Sequence, residues 1–157
     1  MKKTLLAVIV VAVLAMAGTA FAASATTNLT VTANVANICT ISTNPGNVDF
    51  GTYDPTSLTD NVTGQTSFRY KCTKGTSYKV YITRNNQMLM GGLDPLNYEL
   101  YSDSPRTNVF PKFNAAASSQ TSANNGEVTV DIYGKIPHSQ DVEAGVHTEI
   151  DIITIDY

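Results

Sequence analysis

The chain has 157 residues, of which 43% are hydrophobic and 15% charged, with 13 acidic against 10 basic side chains. That is enough for one domain with a real core, and the slightly acidic balance with no basic cluster argues against nucleic acid as a partner. No apolar run reaches the roughly 20 residues that a membrane-spanning helix needs.

Met1-Lys2-Lys3, the apolar run Leu5 to Ala17 and the small-x-small triplet Ala20-Phe21-Ala22 read as a secretion signal over residues 1–22. Its removal leaves 135 of the 157 residues, and without Lys2 and Lys3 there are 8 basic against 13 acidic side chains. The mature chain is expected to be exported.

Directly behind the cleavage pattern, Thr26 to Ile38 places Leu29, Val31, Ala33 and Val35 on one side of an extended backbone. The first residues of a mature domain are usually polar and frayed, so a strand-patterned segment here has to pair with something. Taken alone it reads as an ordinary first strand of its own domain. Its position leaves a second reading open, in which it pairs with the sheet of another copy.

Cys39 and Cys72 are the two cysteines, and both fall in the exported part. An oxidising compartment and an even count point to a structural disulfide. Closing a loop of about 33 residues contributes roughly 3 to 4 kcal/mol in the chain-entropy model. With no neighbouring histidine the pair makes a poor metal site, and a catalytic thiol would be hard to keep reduced outside the cytoplasm.

Phe68, Tyr70 and Cys72 alternate with Ser67, Arg69 and Lys71. Lys74-Gly75-Thr76 follows as a turn, and Tyr78, Val80 and Ile82 then alternate with Lys79, Tyr81 and Thr83. This predicts a hairpin. Leu96 to Tyr101 reads as a shorter strand, and Val128, Val130 and Ile132 form an apolar face opposite Thr129, Asp131 and Tyr133. The last strand is expected from about Val146 to the C-terminus. There Ile150 and Ile152 share one face while Ile153, Ile155 and Tyr157 fall on the other, which predicts a bulge near Ile152 or a strand covered on both faces.

Asn44-Pro45-Gly46, Asp54-Pro55, Gly91-Gly92 and Ser104-Pro105 punctuate the strands. The polar run Ala115 to Gly126 reads as an exposed loop, since it lacks a large apolar residue and its Ser, Thr and Asn side chains compete for backbone hydrogen bonds. Many short strands in a chain of this size predict an all-β sandwich.

No catalytic, cofactor-binding or metal site emerges from the polar residues. His138 and His147 bracket Asp141 and Glu143 at a spacing that matches no common ligand motif. No serine sits in a Gly-x-Ser-x-Gly turn, and nothing sets Asp94, Glu99 and Asp103 at the separation of a glycosidase pair. The acceptor triplets at Asn28 and Asn61 read as chance matches.

Taken in order, Val35-Ala36-Asn37-Ile38-Cys39-Thr40-Ile41, Phe50-Gly51-Thr52-Tyr53-Asp54-Pro55, Tyr70-Lys71-Cys72, Leu96-Asn97-Tyr98-Glu99-Leu100-Tyr101-Ser102-Asp103 and Tyr133-Gly134-Lys135-Ile136-Pro137 carry a resemblance across nearly all of the mature chain. The chain resembles the spore coat protein U domain, a family that includes subunits of archaic, Csu-like chaperone-usher pili. It departs from relatives in having Val109-Phe110-Pro111 where they commonly carry a tryptophan-glycine pair.

The resemblance implies an incomplete immunoglobulin-like β-sandwich over residues 36–157, completed by a donor strand. Residues 23–35 are then the donor segment, with Leu29, Val31, Ala33 and Val35 as its inserting side chains, and the groove-lining candidates are Val128, Val130, Ile132, Ile150, Ile152, Ile153 and Ile155. The implied partners are other copies or related pilin subunits, a periplasmic chaperone and an outer-membrane usher. The implied role is a non-enzymatic surface fibre for adhesion and biofilm formation. The alternative is a self-contained coat or matrix protein with its N-terminal strand paired in cis.

Overall fold

The structure, a computed structural model, describes residues 23–157. The signal read over residues 1–22 lies outside them. Residues 23–34 belong to a first unit, carry no strand and expose Leu29 and Val31. The second unit, Val35–Tyr157, is an all-β sandwich.

One sheet contains β1 (Cys39–Thr43), β2 (Gln65–Cys72), β6 (Glu99–Tyr101) and β8 (Glu127–Lys135) in the order β1-β2-β8-β6. The other contains β3 (Ser77–Thr83), β7 (Gln120–Thr121) and β9 (Ile152–Asp156) in the order β7-β3-β9. A hairpin of β4 (Gln87–Met90) and β5 (Leu93–Asn97) continues from β3. Every strand pairing among the described residues is antiparallel.

The alternation in β2 and β3 places Phe68, Tyr70, Tyr78, Val80 and Ile82 in the core. The expected hairpin between these two strands does not form. Gly75 turns the chain at φ 84° and the Thr76 N–H closes the turn on Thr73 O at 3.0 Å, but β2 pairs with β1 and β8 while β3 pairs with β7 and β9. Their apolar faces oppose each other across the sandwich. Tyr70 and Tyr78 meet there edge to face at 5.4 Å, and the Tyr70 hydroxyl donates to the Tyr78 oxygen at 3.0 Å. A period of two identifies the buried face of a strand but not its neighbour, and face-to-face packing satisfies it as well as a ladder does.

Three more expectations are corrected. Leu96 to Tyr101 is not one strand: it breaks at Tyr98, whose N–H donates to Asn86 O at 3.1 Å, and its halves join different partners. The Ala115 to Gly126 run is not a free loop, because Ala117 is buried, Asn114–Ala116 is a 3-10 turn and β7 pairs with β3. The last strand begins at Ile152 rather than Val146, with only a bridge from Thr148 to Leu89 before it.

The Cys39–Cys72 disulfide joins directly opposed residues of β1 and β2. Phe50 reaches the core from the long β1–β2 connection and lies over Gly64 and Gly134, whose backbones bond at 2.7 Å. A Cβ at either glycine would overlap its ring.

Candidate functional site

The two long sides of the sandwich differ. On one, residues 108–111 act as a strap between the sheets: Phe110 N–H donates to Leu100 O of β6 at 2.8 Å, and Pro111 O accepts the Ile82 N–H of β3 at 2.9 Å. Arg84, just past β3, holds this strap from inside. Its guanidinium donates to Ile82 O at 3.0 Å and, through Nη2, to Phe110 O and Glu99 Oε1 at 2.7 Å each. Burial acts to raise the Glu99 carboxyl, but hydrogen bonds from Arg84, Asn86 and the Leu100 N–H outweigh it and hold the group below its ordinary range.

The other side, between β1 and β9, has no strap among the described residues. Because the Ile82 N–H turns toward Pro111, Ile82 and its opposite number Ile153 form a pair that exchanges no hydrogen bonds. Val80 and Ile155, two positions along, have the same parity. Ile153 and Ile155 therefore aim their N–H and C=O groups at the free edge of β9, where no backbone partner occurs among the described residues. Thr154, of opposite parity, is bonded to Tyr81.

Residual exposure also occurs on inward-facing residues. Ile41, Tyr70 and Val128 stand in one row across β1, β2 and β8; Tyr70 is buried, yet Ile41 is 42% and Val128 38% exposed. Val130, Ile153 and Ile155 are only partly buried against the core, whereas Ile132 is fully buried. Thus an apolar interior lies partly uncovered beside an unpaired strand edge, a combination that invites another strand.

Of the groove candidates, Val128, Val130, Ile132, Ile153 and Ile155 face this interior, with Ile132 sealed beneath it. Ile150 and Ile152 do not join them and are corrected here: they are 92% and 61% exposed. The cause is a break before β9. Glu149 accepts the N–H groups of Asn85 and Gln87 at 2.5 and 2.8 Å, and Asp151 accepts the Tyr98 hydroxyl on both oxygens at 2.8 Å. These two carboxylates occupy the inward turns, and Ile150 is turned outward between them. Burial raises the Asp151 carboxyl above its ordinary value, with Glu149 adding to the rise, and burial next to Asp151 also raises the Tyr98 hydroxyl.

Ala33 and Val35 are exposed, and no strand occurs before Cys39 among the described residues. Other polar residues singled out from the sequence serve local structure. Asp103 caps the turn at Thr107 and Asn108, and Glu99 binds Arg84. The Asn61 amide donates to Phe50 O at 2.9 Å. His138 Nδ1 meets Ser139 Oγ at 3.0 Å and His147 Nε2 meets Glu143 O at 3.1 Å. Among the described residues no three potential metal ligands converge. Sequence reasoning missed Arg84 and Asp151. A charged residue directly after the apolar face of β3, and an acid among the isoleucines of the last strand, were the available signals.

The family model of the Spore Coat Protein U domain matches residues 25–155. No curated protein sequence matches. Among solved structures the chain is similar to a chain of the CsuC–CsuE chaperone–tip adhesion subunit pre-assembly complex from the archaic chaperone-usher Csu pili of Acinetobacter baumannii, with TM-score 0.53 and 20% identity. The likeness covers 78% of this chain and 40% of that one, so this chain spans less than half the length of the structure it matches.

Proposed function

Because this chain belongs to the spore coat protein U domain family, we propose that it is a structural subunit of a chaperone-usher pilus, assembled when residues 23–35 of one copy complete the sandwich of the next. The observation that carries this reading is the unpaired edge of β9 beside an incompletely covered apolar interior. An added strand supplies both missing contacts, a backbone ladder for Ile153 and Ile155 and apolar cover for their partly buried side chains and for Ile41.

Leu29, Val31, Ala33 and Val35 recur at the strand period, and the intervening side chains are uncharged, so insertion leaves no ion unpaired. Full burial of Leu29, Val31 and Val35 contributes roughly 1.5 to 3 kcal/mol apiece. Ordering the free segment opposes this by about 1 to 2 kcal/mol per residue, so the backbone ladder and a long fitted strand are needed for a lasting junction. Before assembly the exposed interior and edge need a temporary occupant, a role for a periplasmic chaperone that hands the subunit to an outer-membrane usher. The mature chain reaches the cell surface by this route, where the fibre supports adhesion and biofilm formation without catalysis.

Solution mass tests the reading. The mature chain is expected to form head-to-tail polymers, and a chain lacking residues 23–33 is expected to be monomeric and to bind a synthetic Ala23–Val35 peptide one to one. A deletion variant that is stable, monomeric and indifferent to the peptide would overturn donor-strand exchange and favour the self-contained coat protein.

A further inference from the structure

Ile150 is 92% exposed, yet it does not sit on a loose loop. Glu149 on one side is bound to the Asn85 and Gln87 amides, and Asp151 on the other is bound to the Tyr98 hydroxyl. The two flanking anchors fix this apolar side chain outward.

What covers Ile150 follows from the tether. Ala36 O accepts the Thr73 hydroxyl at 3.1 Å, Asn37 Oδ1 accepts the Thr76 hydroxyl at 3.3 Å and Ile38 O accepts the Thr73 N–H at 2.9 Å. From Ala36 onward the chain is therefore part of its own body. A donor strand that ends at Val35 leaves about one residue of slack, roughly 3.5 Å, which is too little for a layer of water between successive subunits. The inserted strand also has a preferred direction. Every strand pairing among the described residues is antiparallel, and a strand added to β9 in the same sense ends beside the start of β9, next to Ile150.

We propose that Ile150 is an interface residue for a second copy of this chain: it is covered by the base of the subunit that supplies the donor strand, with that subunit's half-exposed Ile38 as the opposing apolar residue. The proposal rests on the donor-strand reading and adds to it a contact between bodies. Each junction is then held by the inserted strand and by an apolar clamp at the groove's mouth, which orients one subunit on the next.

The mature chain, refolded from denaturant with increasing Ala23–Val35 peptide, separates the two contacts, because the peptide competes for the groove but has no body. In Ile150→Asp the expected peptide concentration that halves polymer length falls on the order of tenfold relative to the unsubstituted chain, the loss of one buried apolar side chain. The double variant Ile150→Asp/Ile38→Lys sets opposite charges together at every junction and is expected to restore the higher concentration. Equal half-capping concentrations in the unsubstituted chain and Ile150→Asp would overturn the clamp while leaving donor-strand exchange intact. A peptide that caps neither would overturn both.

Discussion

The Nη2 of Arg84 lies 2.7 Å from Oε1 of Glu99, with the Arg84 side chain fully buried and that of Glu99 24% exposed. This pair sits where β3, β6 and the strap at residues 108–111 converge, so one guanidinium holds both sheets on the closed side of the sandwich. Closure there is what leaves the opposite side as the place for a further strand.

Replacing Arg84 removes donors from two buried carbonyls and strands a partly buried carboxylate. Arg84→Met is expected to lower unfolding free energy by about 3 to 5 kcal/mol. The double variant Arg84→Met/Glu99→Gln is expected to lose less, since no charge is left unpaired. Urea midpoints of Arg84→Met and the double variant decide this, and equal losses in the two would exclude the ion pair as the cause.

Glu99 and Asp151 pull the pH dependence in opposite directions. The Glu99 carboxyl is lowered from its ordinary 4.5 in the fold, so its contribution is present above that pH and is lost as pH falls through the folded value. Asp151 is raised from 3.8, so the fold binds its proton more tightly than the unfolded chain does, and stability falls as pH rises from 3.8 through the folded value. Asp151→Asn keeps an acceptor for the Tyr98 hydroxyl. It is expected to remove that fall, leaving stability at pH 7 equal to or above that of the unsubstituted chain, while Glu99→Gln flattens the rise below pH 4.5. Denaturation midpoints from pH 3 to 7 give both slopes.

Gly134 has a packing role. The Phe50 ring occupies the space where its Cβ would stand, so Gly134→Ala is expected to cost about 1 to 3 kcal/mol by overpacking. Phe50→Leu in the same chain should recover part of that loss. A Gly134→Ala chain with an unchanged melting temperature would show that the ring can move aside.

Removal of the Cys39–Cys72 bond, by Cys39→Ser/Cys72→Ser or by reductant, is expected to cost about 2 to 4 kcal/mol, chiefly by freeing the unfolded chain. The check is the melting temperature of the double variant against the oxidised chain.

The strand parity of β9 makes an amide-by-amide prediction. In the monomer the Ile153 and Ile155 amides should exchange quickly with solvent and the Thr154 amide, bonded to Tyr81, slowly. In polymers all three should be slow. Fast exchange at Ile153 and Ile155 in polymers would mean that the added strand does not pair with this edge.

The sequence by itself determined the all-β class, the buried faces of β2 and β3 and the two cysteines available for the bond, because those depend on local alternation and on residue count. Phe68, Tyr70, Tyr78, Val80 and Ile82 all lie inward as the period of two requires. It did not determine that β2 and β3 belong to different sheets, since a strand's pattern is the same whichever neighbour it takes. Nor did it show that Ile150 and Ile152 turn outward while Ile153 and Ile155 turn inward: that depends on Glu149 finding the Asn85 and Gln87 amides and on Asp151 finding Tyr98, partners more than 50 residues away in the chain. The closed and open sides were likewise decided only in three dimensions, where a buried arginine meets a strap between two sheets on one side and, among the described residues, nothing takes that place on the other.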